Sequence, residues 1–400
     1  MLPHTWGTWR YPRCMKIAAR CTLILLTLVS PLHADRIVVD SSGGGDFLDI
    51  QPAINSALDG DVIEVRSGSY GPVLIVDKDL VLAAGSGASA VGIHGTVRVA
   101  ALSAGKSVVL SGLTNLASNN LPDDGLLISN CDGSVRVQDC AFTGYGGGPV
   151  HAVGCRIMGS LNVEMSSVAF RGSDSNPTYQ GGTGVNVVHS RLTLTEGYMT
   201  GGRGGTGSNH PTMGCNGAIG GSALLVQASD VLLRGGSITP GLGGDPSMAS
   251  CTSGPDGHGI KDVGGSLVQY LGTTIAGAQS GTIQQLPGVP RIWQGLTVFV
   301  NANAPFPVSI SGEPGDRVVM LSSLAGQYRV LAGLGGNLAV RAPYQGQFLG
   351  VCDAFGSLQT AALYLVPGGG QSEHIFVQTL HFPSGLPGRA LGNARVILAQ

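Results

Sequence analysis

The sharpest chemical motif in the 400-residue chain is Gly257-His258-Gly259-Ile260-Lys261. One reading gives His258 and Lys261 a catalytic role. The other makes His258 a turn histidine at the base of a loop, since such a tripeptide arises readily in a chain with 65 glycines. A second constellation is Asp123, Asp124, Asp132 and Asp139, with Arg136 between them. Carboxylates on neighbouring turns could hold Ca²⁺, and Ca²⁺ with a basic residue can acidify a sugar and remove its proton. Against this, Asp123-Asp124 follows Asn119-Asn120-Leu121-Pro122, which reads as an ordinary turn. Other chemistries find no support. No Ser-His-Asp order stands out, no glycine loop runs into Gly-Lys-Ser or Gly-Lys-Thr, and no Cys-x-x-Cys pair suggests zinc. Gly201-Gly202-Arg203-Gly204-Gly205 approaches a calcium nonapeptide, but Thr206 stands where that motif needs an Asp. The expected cofactor list is therefore empty, with Ca²⁺ the one candidate.

The elements that would position these residues are β-strands. Only 12% of residues are charged, against about a quarter in an average domain. Glu and Lys, which solvated helices favour, are scarce, so a mainly helical protein is excluded. With 43% apolar residues the chain can bury a core, which excludes disorder. An all-β protein rich in turns remains.

Residues 1–34 read as an export signal. Lys16 and Arg20 precede the apolar run Cys21 to Val29, which is too short to span a bilayer, and Ala34 ends a cleavage site. No later run is long enough to cross a membrane. Removal of the signal leaves 22 − 4 = 18 basic and 24 acidic residues, a net charge of −6. That argues against nucleic acid as a partner. The expected location is extracellular, periplasmic or on the cell surface.

After the signal, Ile37-Val38-Val39 reads as a strand. Phe47, Ile50, Ala53, Ile54, Ala57 and Leu58 recur at helical spacing, closed by Gly60. Asp61 to Val65 is an alternating strand. The run from Asp46-Phe47 through Ile50-Gln51-Pro52-Ala53-Ile54 and Asp59 to Val65, then Ser67-Gly68-Ser69-Tyr70, resembles the opening of secreted right-handed parallel β-helix proteins of the pectin-lyase-like superfamily. The resemblance covers about 25 residues and implies a helix that caps the first coil. It implies no single function, because the superfamily includes lyases, hydrolases, adhesins and proteins without known activity.

Spacing supports the same fold over about Pro72 to Gly288. Val135, Leu161, Leu192, Val231 and Val268 are each followed seven residues later by an apolar residue: Phe142, Val168, Met199, Ile238 and Ile275. A turn glycine follows each. A constant motif at a varying period means fixed rungs carrying loops of variable length. Roughly nine or ten rungs at about 4.8 Å are expected. The alternatives are a β-propeller, which would show longer and more uniform repeats, and a plain sandwich. The insertions Ser173 to Gly182, Gly202 to Gly221 and Leu242 to Gly257 all enter after the same turn glycine, so they should lie side by side as a glycine-rich ledge. Cys215 lies six residues before Gly221, and Cys251 six before Gly257. Equal offsets on neighbouring rungs predict a Cys215–Cys251 disulfide, which export permits. The pairing of Cys131, Cys140, Cys155 and Cys352 is not legible.

Gly257-His258-Gly259 with Ile260-Lys261 also resembles a piece of the polygalacturonases. That resemblance implies aspartates clustered about one rung from the histidine, one of them a general acid. Here Asp123-Asp124 precedes His258 by well over a hundred residues.

From about Pro290 the pattern changes to alternating strands: Thr297 to Val300, Pro307 to Ile310, Arg317 to Leu321, Gln327 to Leu331, Asn337 to Arg341, Ala361 to Val366, His374 to Leu380 and Ala394 to Leu398. Their spacing predicts a small antiparallel β-sandwich over 289–400. Its ending resembles that of large exported bacterial proteins with such a domain.

The expected function is an exported structural or adhesive protein, binding polysaccharide or cell-surface components through Tyr179, His210 and His258. The alternative is a polysaccharide lyase or glycoside hydrolase acting on acidic polysaccharide through Asp123, Asp124, His258 and Lys261. An enzyme needs at least two ionisable groups converging on one groove, and the repeated block is poor in Glu and Lys.

Overall fold

The computed structural model describes residues 35–400 except 86–87, 89, 117–122, 147–151, 176–177, 209–214, 295–298, 301–303, 324–325, 332–335, 341–344, 364–372, 384–389 and 400. The expected export signal lies outside the described residues.

The chain coils as a parallel β-helix with three faces. Face 1 runs Arg36–Val39, Asp61–Val65, Leu80–Ala84, Ser107–Ser111, Ser134–Gln138, Val163–Arg171, Arg191–Thr200, Asp230–Arg234, Leu267–Leu271 and Ile283–Gln285. Face 2 begins at Gly68–Tyr70 and ends at Thr274–Ile275. Face 3 is a separate 8-stranded sheet from Val73–Val76 to Ala278–Ser280. Strand ladders among the described residues of this region are parallel, in register coil upon coil. Among the described residues of this region one antiparallel bridge occurs, between Asp123 and Tyr145.

The repeat is anchored one step differently from its sequence expectation. Val135 pairs with Val163, then Leu192, Val231 and Val268. Leu161 is 51% exposed. Phe142 accordingly stacks on Phe170 with ring centroids 6.1 Å apart. Leu161/Val168 and Val163/Phe170 both satisfy the seven-residue spacing. Burial selects the second pair, because the larger ring fills the interior.

In most coils two corners are tight turns closed by a residue with positive φ. Between faces 1 and 2 these are Gly112, Asp139, Ser167, Glu196, Gly235 and Gly272. Between faces 3 and 1 they include Asp77, Ala101, Asn130, Gly159, His189 and Ala228. One residue later on that second corner, a buried hydroxyl column runs up the rod. Cys131 N donates to Ser160 Oγ at 3.1 Å, Ser160 N to Ser190 Oγ at 3.0 Å, Ser190 N to Ser229 Oγ at 3.1 Å, and Ser229 N to Ser266 Oγ at 3.3 Å. The small polar side chain satisfies amides that the corner takes out of the strand ladder. The third corner, between faces 2 and 3, carries the long loops.

The capping helix is shorter than its apolar spacing predicts, spanning Ile50–Ser56. Asp49 fixes its start, its carboxylate accepting from Ile50 N at 2.8 Å. Lys78 Nζ donates to the carbonyls of Ile54 and Ala57 at the other end. Phe47 instead bridges to Val39, and Leu58 is exposed. Ile50, Ala53 and Ile54 pack on the first coil's core.

After Gly288 the ladders become almost wholly antiparallel. Pro305–Ser311 lies between Ile292–Gln294 and Ser357–Leu363. A second sheet orders Phe299–Val300, Ala390–Ala399, Glu373–Phe382, Arg317–Ser323 and Gln345–Val351. The last of these strands has no counterpart in the sequence expectation, because its glycines and glutamines interrupt the alternation. This second sheet folds back onto face 1. Leu321, with Val319 and Leu380, packs against Val62, Val81, Ala83 and Val109. Further along the same face Arg136, Gln138, Glu164, Ser166, Thr193, Thr195 and Arg234 are buried. Face 1 is thus not an open surface.

Candidate functional site

The four aspartates do not converge. Asp124 sits at the loop corner before Leu126–Ser129, Asp132 at the corner between faces 3 and 1, and Asp139 at the corner between faces 1 and 2. Asp124 ties two coils together. Its carboxylate accepts from Val153 N at 2.8 Å and from Arg156 Nε at 2.7 Å. This hydrogen bond holds the Arg156 guanidinium above its usual range. Asp123 exchanges backbone hydrogen bonds with Tyr145, and the Asp132 carbonyl accepts from Asn162 Nδ2. Arg136 points to face 1, where its Nε lies 3.3 Å from Glu164 Oε2.

His258 opens the face 3 strand His258–Asp262, its carbonyl accepting from Ala223 N. Asp124 and His258 share a corner but stand four coils apart, about 19 Å at ~4.8 Å per coil. Lys261 is in register with Leu225, in an outward row that also holds Arg98 and Arg156. The fold therefore does not bring Asp124 to His258. Among the described residues no group of three or more His, Cys, Asp or Glu is placed to hold a metal ion.

The loop corner itself is highly ordered. Gly172, Ser175 and Thr178 donate to the carbonyls of Thr200, Arg203 and Thr206. Gly201, Gly204 and Gly207 then donate to Thr239, Leu242 and Asp245. Donors recur every third residue, the period of a polyproline II helix. A second layer repeats the pattern: Gly217, Gly220 and Ala223 donate to Thr252, Pro255 and His258. Antiparallel bonds join the layers, among them Gly202 to Gly182, Gly221 to Gly202, Gly241 to Gly221 and Gly257 to Gly241. The loops thus form a two-layer sheaf of extended three-fold segments. Glycine is required where segments meet. A Cβ on Gly202 would run into the Ser173 carbonyl, and one on Gly221 into that of Gly182.

Residues at the third position of each turn point outward. On one layer these are Asp174, Arg203, Thr206, Leu242 and Asp245, all exposed. Arg203 pairs with Asp245, and Arg171 Nη2 lies 2.6 Å from Asp174. On the other layer the third positions that are exposed are Gln180, Asn216, Ile219, Thr252 and Pro255, none of them charged. Ser253 and Asp256 beside them are exposed too, and the Asp256 carboxylate accepts from Gly243 N. Cys215 and Cys251 are disulfide-bonded at the outer end of the sheaf, with Cα atoms 5.8 Å apart. Tyr179 lies within it, its carbonyl accepting from Gly205 N. His210 lies outside the described residues.

One further feature was not singled out from the sequence. An open cleft of about 410 Å³ at the corner between faces 1 and 2 is lined by Thr114, Asp139, Ser167, Glu196 and Tyr198, among others. Ser167 Oγ donates to Glu196 Oε2 at 3.3 Å, and Tyr198 is 56% exposed. The signal was present in the spacing. Asp139, Ser167 and Glu196 each stand four residues after an anchor, Val135, Val163 and Leu192.

No family model matches the chain, and no curated protein matches it. Among solved structures the chain is similar to the crystal structure of pectate lyase Pel9A. That similarity covers 64% of this chain and 80% of the other, at 10% identity and a TM-score of 0.24. The parallel β-helix is read from this chain's own strand ladders, and no family follows from that likeness. No helix among the described residues is long and apolar enough to cross a membrane.

Proposed function

We propose that the protein is an exported adhesive or binding protein that presents the loop sheaf to polysaccharide or other cell-surface polymers. One observation carries this reading: the described residues of three long loops are hydrogen-bonded into a sheaf, with one disulfide between two of the loops, that sets outward side chains at regular spacing. A segment fixed before contact loses little conformational entropy on binding. Rows at ~4.8 Å across the coils and about 9 Å along each segment suit a repetitive polymer. The uncharged row Gln180, Asn216, Ile219, Thr252 and Pro255 offers amide, hydroxyl and apolar contacts together.

The test is retention on a panel of insoluble and immobilised polysaccharides, comparing the wild type with Ile219→Asp and Thr252→Asp. Both residues are exposed, so circular dichroism should be unchanged. The reading requires retention on some member of the panel and its loss in these variants. Equal retention by wild type and variants would refute the sheaf as the binding surface.

A second reading, polysaccharide lyase or glycoside hydrolase, draws support from the cleft. Asp139 and Glu196 flank Ser167 there in one column, two coils apart (about 10 Å at ~4.8 Å per coil), beside an exposed tyrosine, and sugar hydrolysis needs two carboxylates on one cleft. Sugar release that is lost in Glu196→Gln would favour it.

A further inference from the structure

The two ends of the rod are built differently. At the first coil the helix Ile50–Ser56 and its Ile50, Ala53 and Ile54 cover the core. At the last coil, Ala278, Gln279, Thr282, Gln284 and Gln285 are exposed, and the core residues Tyr270, Ile275 and Ile283 are only partly covered.

This end has an open strand edge. Ile283–Gln285 pairs on one side with Val268–Tyr270. Val268 N donates to the Thr282 carbonyl and Leu286 N to the Tyr270 carbonyl. In a parallel ladder alternate residues direct both backbone groups to the same side. Residues 282, 284 and 286 therefore face the strand inside, and Ile283 and Gln285 direct their N–H and C=O groups to the open edge. Among the described residues no strand pairs with that edge.

The edge is also uncharged. From Val263 to Pro290 the chain contains no Asp, Glu, Lys, Arg or His. Proteins that stay apart blunt such edges with charges, above all lysine. The strand itself brings no charge to its copy, and carboxylates flank it at Gly281, beside Asp262, and at Gly288, beside Glu313.

We propose that this end is the contact between two copies of the chain, paired antiparallel through Ile283–Gln285 about a two-fold axis at Gln284. Ile283 of each copy then exchanges both backbone hydrogen bonds with residue 285 of the other. Gln284 faces its own copy in the closely spaced, non-hydrogen-bonded position. The contact is isologous and closes at two. The helical cap at the other end prevents growth into a fibre.

The test is sedimentation velocity on the purified secreted protein at micromolar concentration, with circular dichroism as the folding control. The wild type should sediment as a dimer. Gln284→Lys and Gln284→Glu should each be monomeric, because like charges then lie directly opposite. A 1:1 mixture of the two should recover the dimer. Gln285→Pro should also be monomeric with an unchanged spectrum, since the N–H it removes points to the open edge. A monomeric wild type would overturn the proposal. So would a dimer that survives both Gln284→Lys and Gln285→Pro, or a Lys/Glu mixture that stays monomeric. None of these outcomes bears on what the sheaf binds.

Discussion

Cys215 and Cys251 occupy the same place on successive coils, 36 residues apart in sequence, and their disulfide closes the outer end of the loop sheaf. The bond ties together loops held otherwise by backbone hydrogen bonds and by side-chain contacts such as the Arg203–Asp245 pair and Thr252 N donating to Asn216 Oδ1. Peptide mapping without reduction should recover the two cysteines in one linked species. Cys215→Ser should lower stability by about 2–4 kcal/mol, read as an earlier denaturant midpoint. Either thiol found free in exported protein would be inconsistent with this geometry.

Gly202 and Thr206 should respond unequally to the same change. Gly202→Ala puts a methyl group against the Ser173 carbonyl and should cost roughly 1–3 kcal/mol as an overpacked site. Thr206→Ala alters an exposed third position and should stay within about 0.5 kcal/mol of wild type. Thermal melts of the two variants check the three-residue period directly. Equal effects would speak against the sheaf.

The Arg136–Glu164 pair beneath the C-terminal sheet predicts a pH signature. Burial raises the Glu164 carboxyl above its ordinary value, partly offset by Arg136. A group whose folded pKa is raised contributes most below its unfolded value, and that contribution is lost as pH rises through the folded value. Arg136→Met removes the offsetting charge and should cost about 3–5 kcal/mol near neutrality. Part of this loss should return as the pH is lowered towards 5. Denaturant midpoints across pH 5 to 8 would show it, and a pH-independent loss would exclude Glu164 as the cause.

The buried serine column makes a simpler prediction. Ser229 Oγ donates to the Gln227 carbonyl at 2.7 Å and accepts from Ser190 N at 3.1 Å. Ser229→Ala leaves both groups buried and should cost about 1–3 kcal/mol. Ser229→Cys, which keeps a weak donor and acceptor as Cys131 does in the same column, should cost less. Chemical denaturation of the two variants checks the order.

Much of the architecture is legible in the sequence because parallel coils repeat their inward residues, as Val135, Leu192, Val231 and Val268 do. The register at Leu161 is not, because two apolar pairs fit the same spacing and only burial separates them. The strand Gln345–Val351 is hidden by glycines that pairing tolerates. At the candidate site, the equal offsets of Cys215 and Cys251 point to neighbouring coils, whereas Asp124 reads as chemistry and serves to brace Arg156. The sheaf leaves a trace in Gly201-Gly202-Arg203-Gly204-Gly205-Thr206-Gly207, a three-residue repeat. Hydrophobic periodicity cannot reveal it, since its cohesion comes from backbone groups.

The central claim is that the protein holds a polymer through the sheaf and does not cut it. The most direct measurement incubates the purified protein with acidic and neutral polysaccharides, with and without Ca²⁺, and reads retention and the release of unsaturated or reducing ends together. The account predicts retention that Ile219→Asp abolishes, with no release of new ends. Release of ends that disappears in Asp124→Ala, His258→Ala or Glu196→Gln would contradict it.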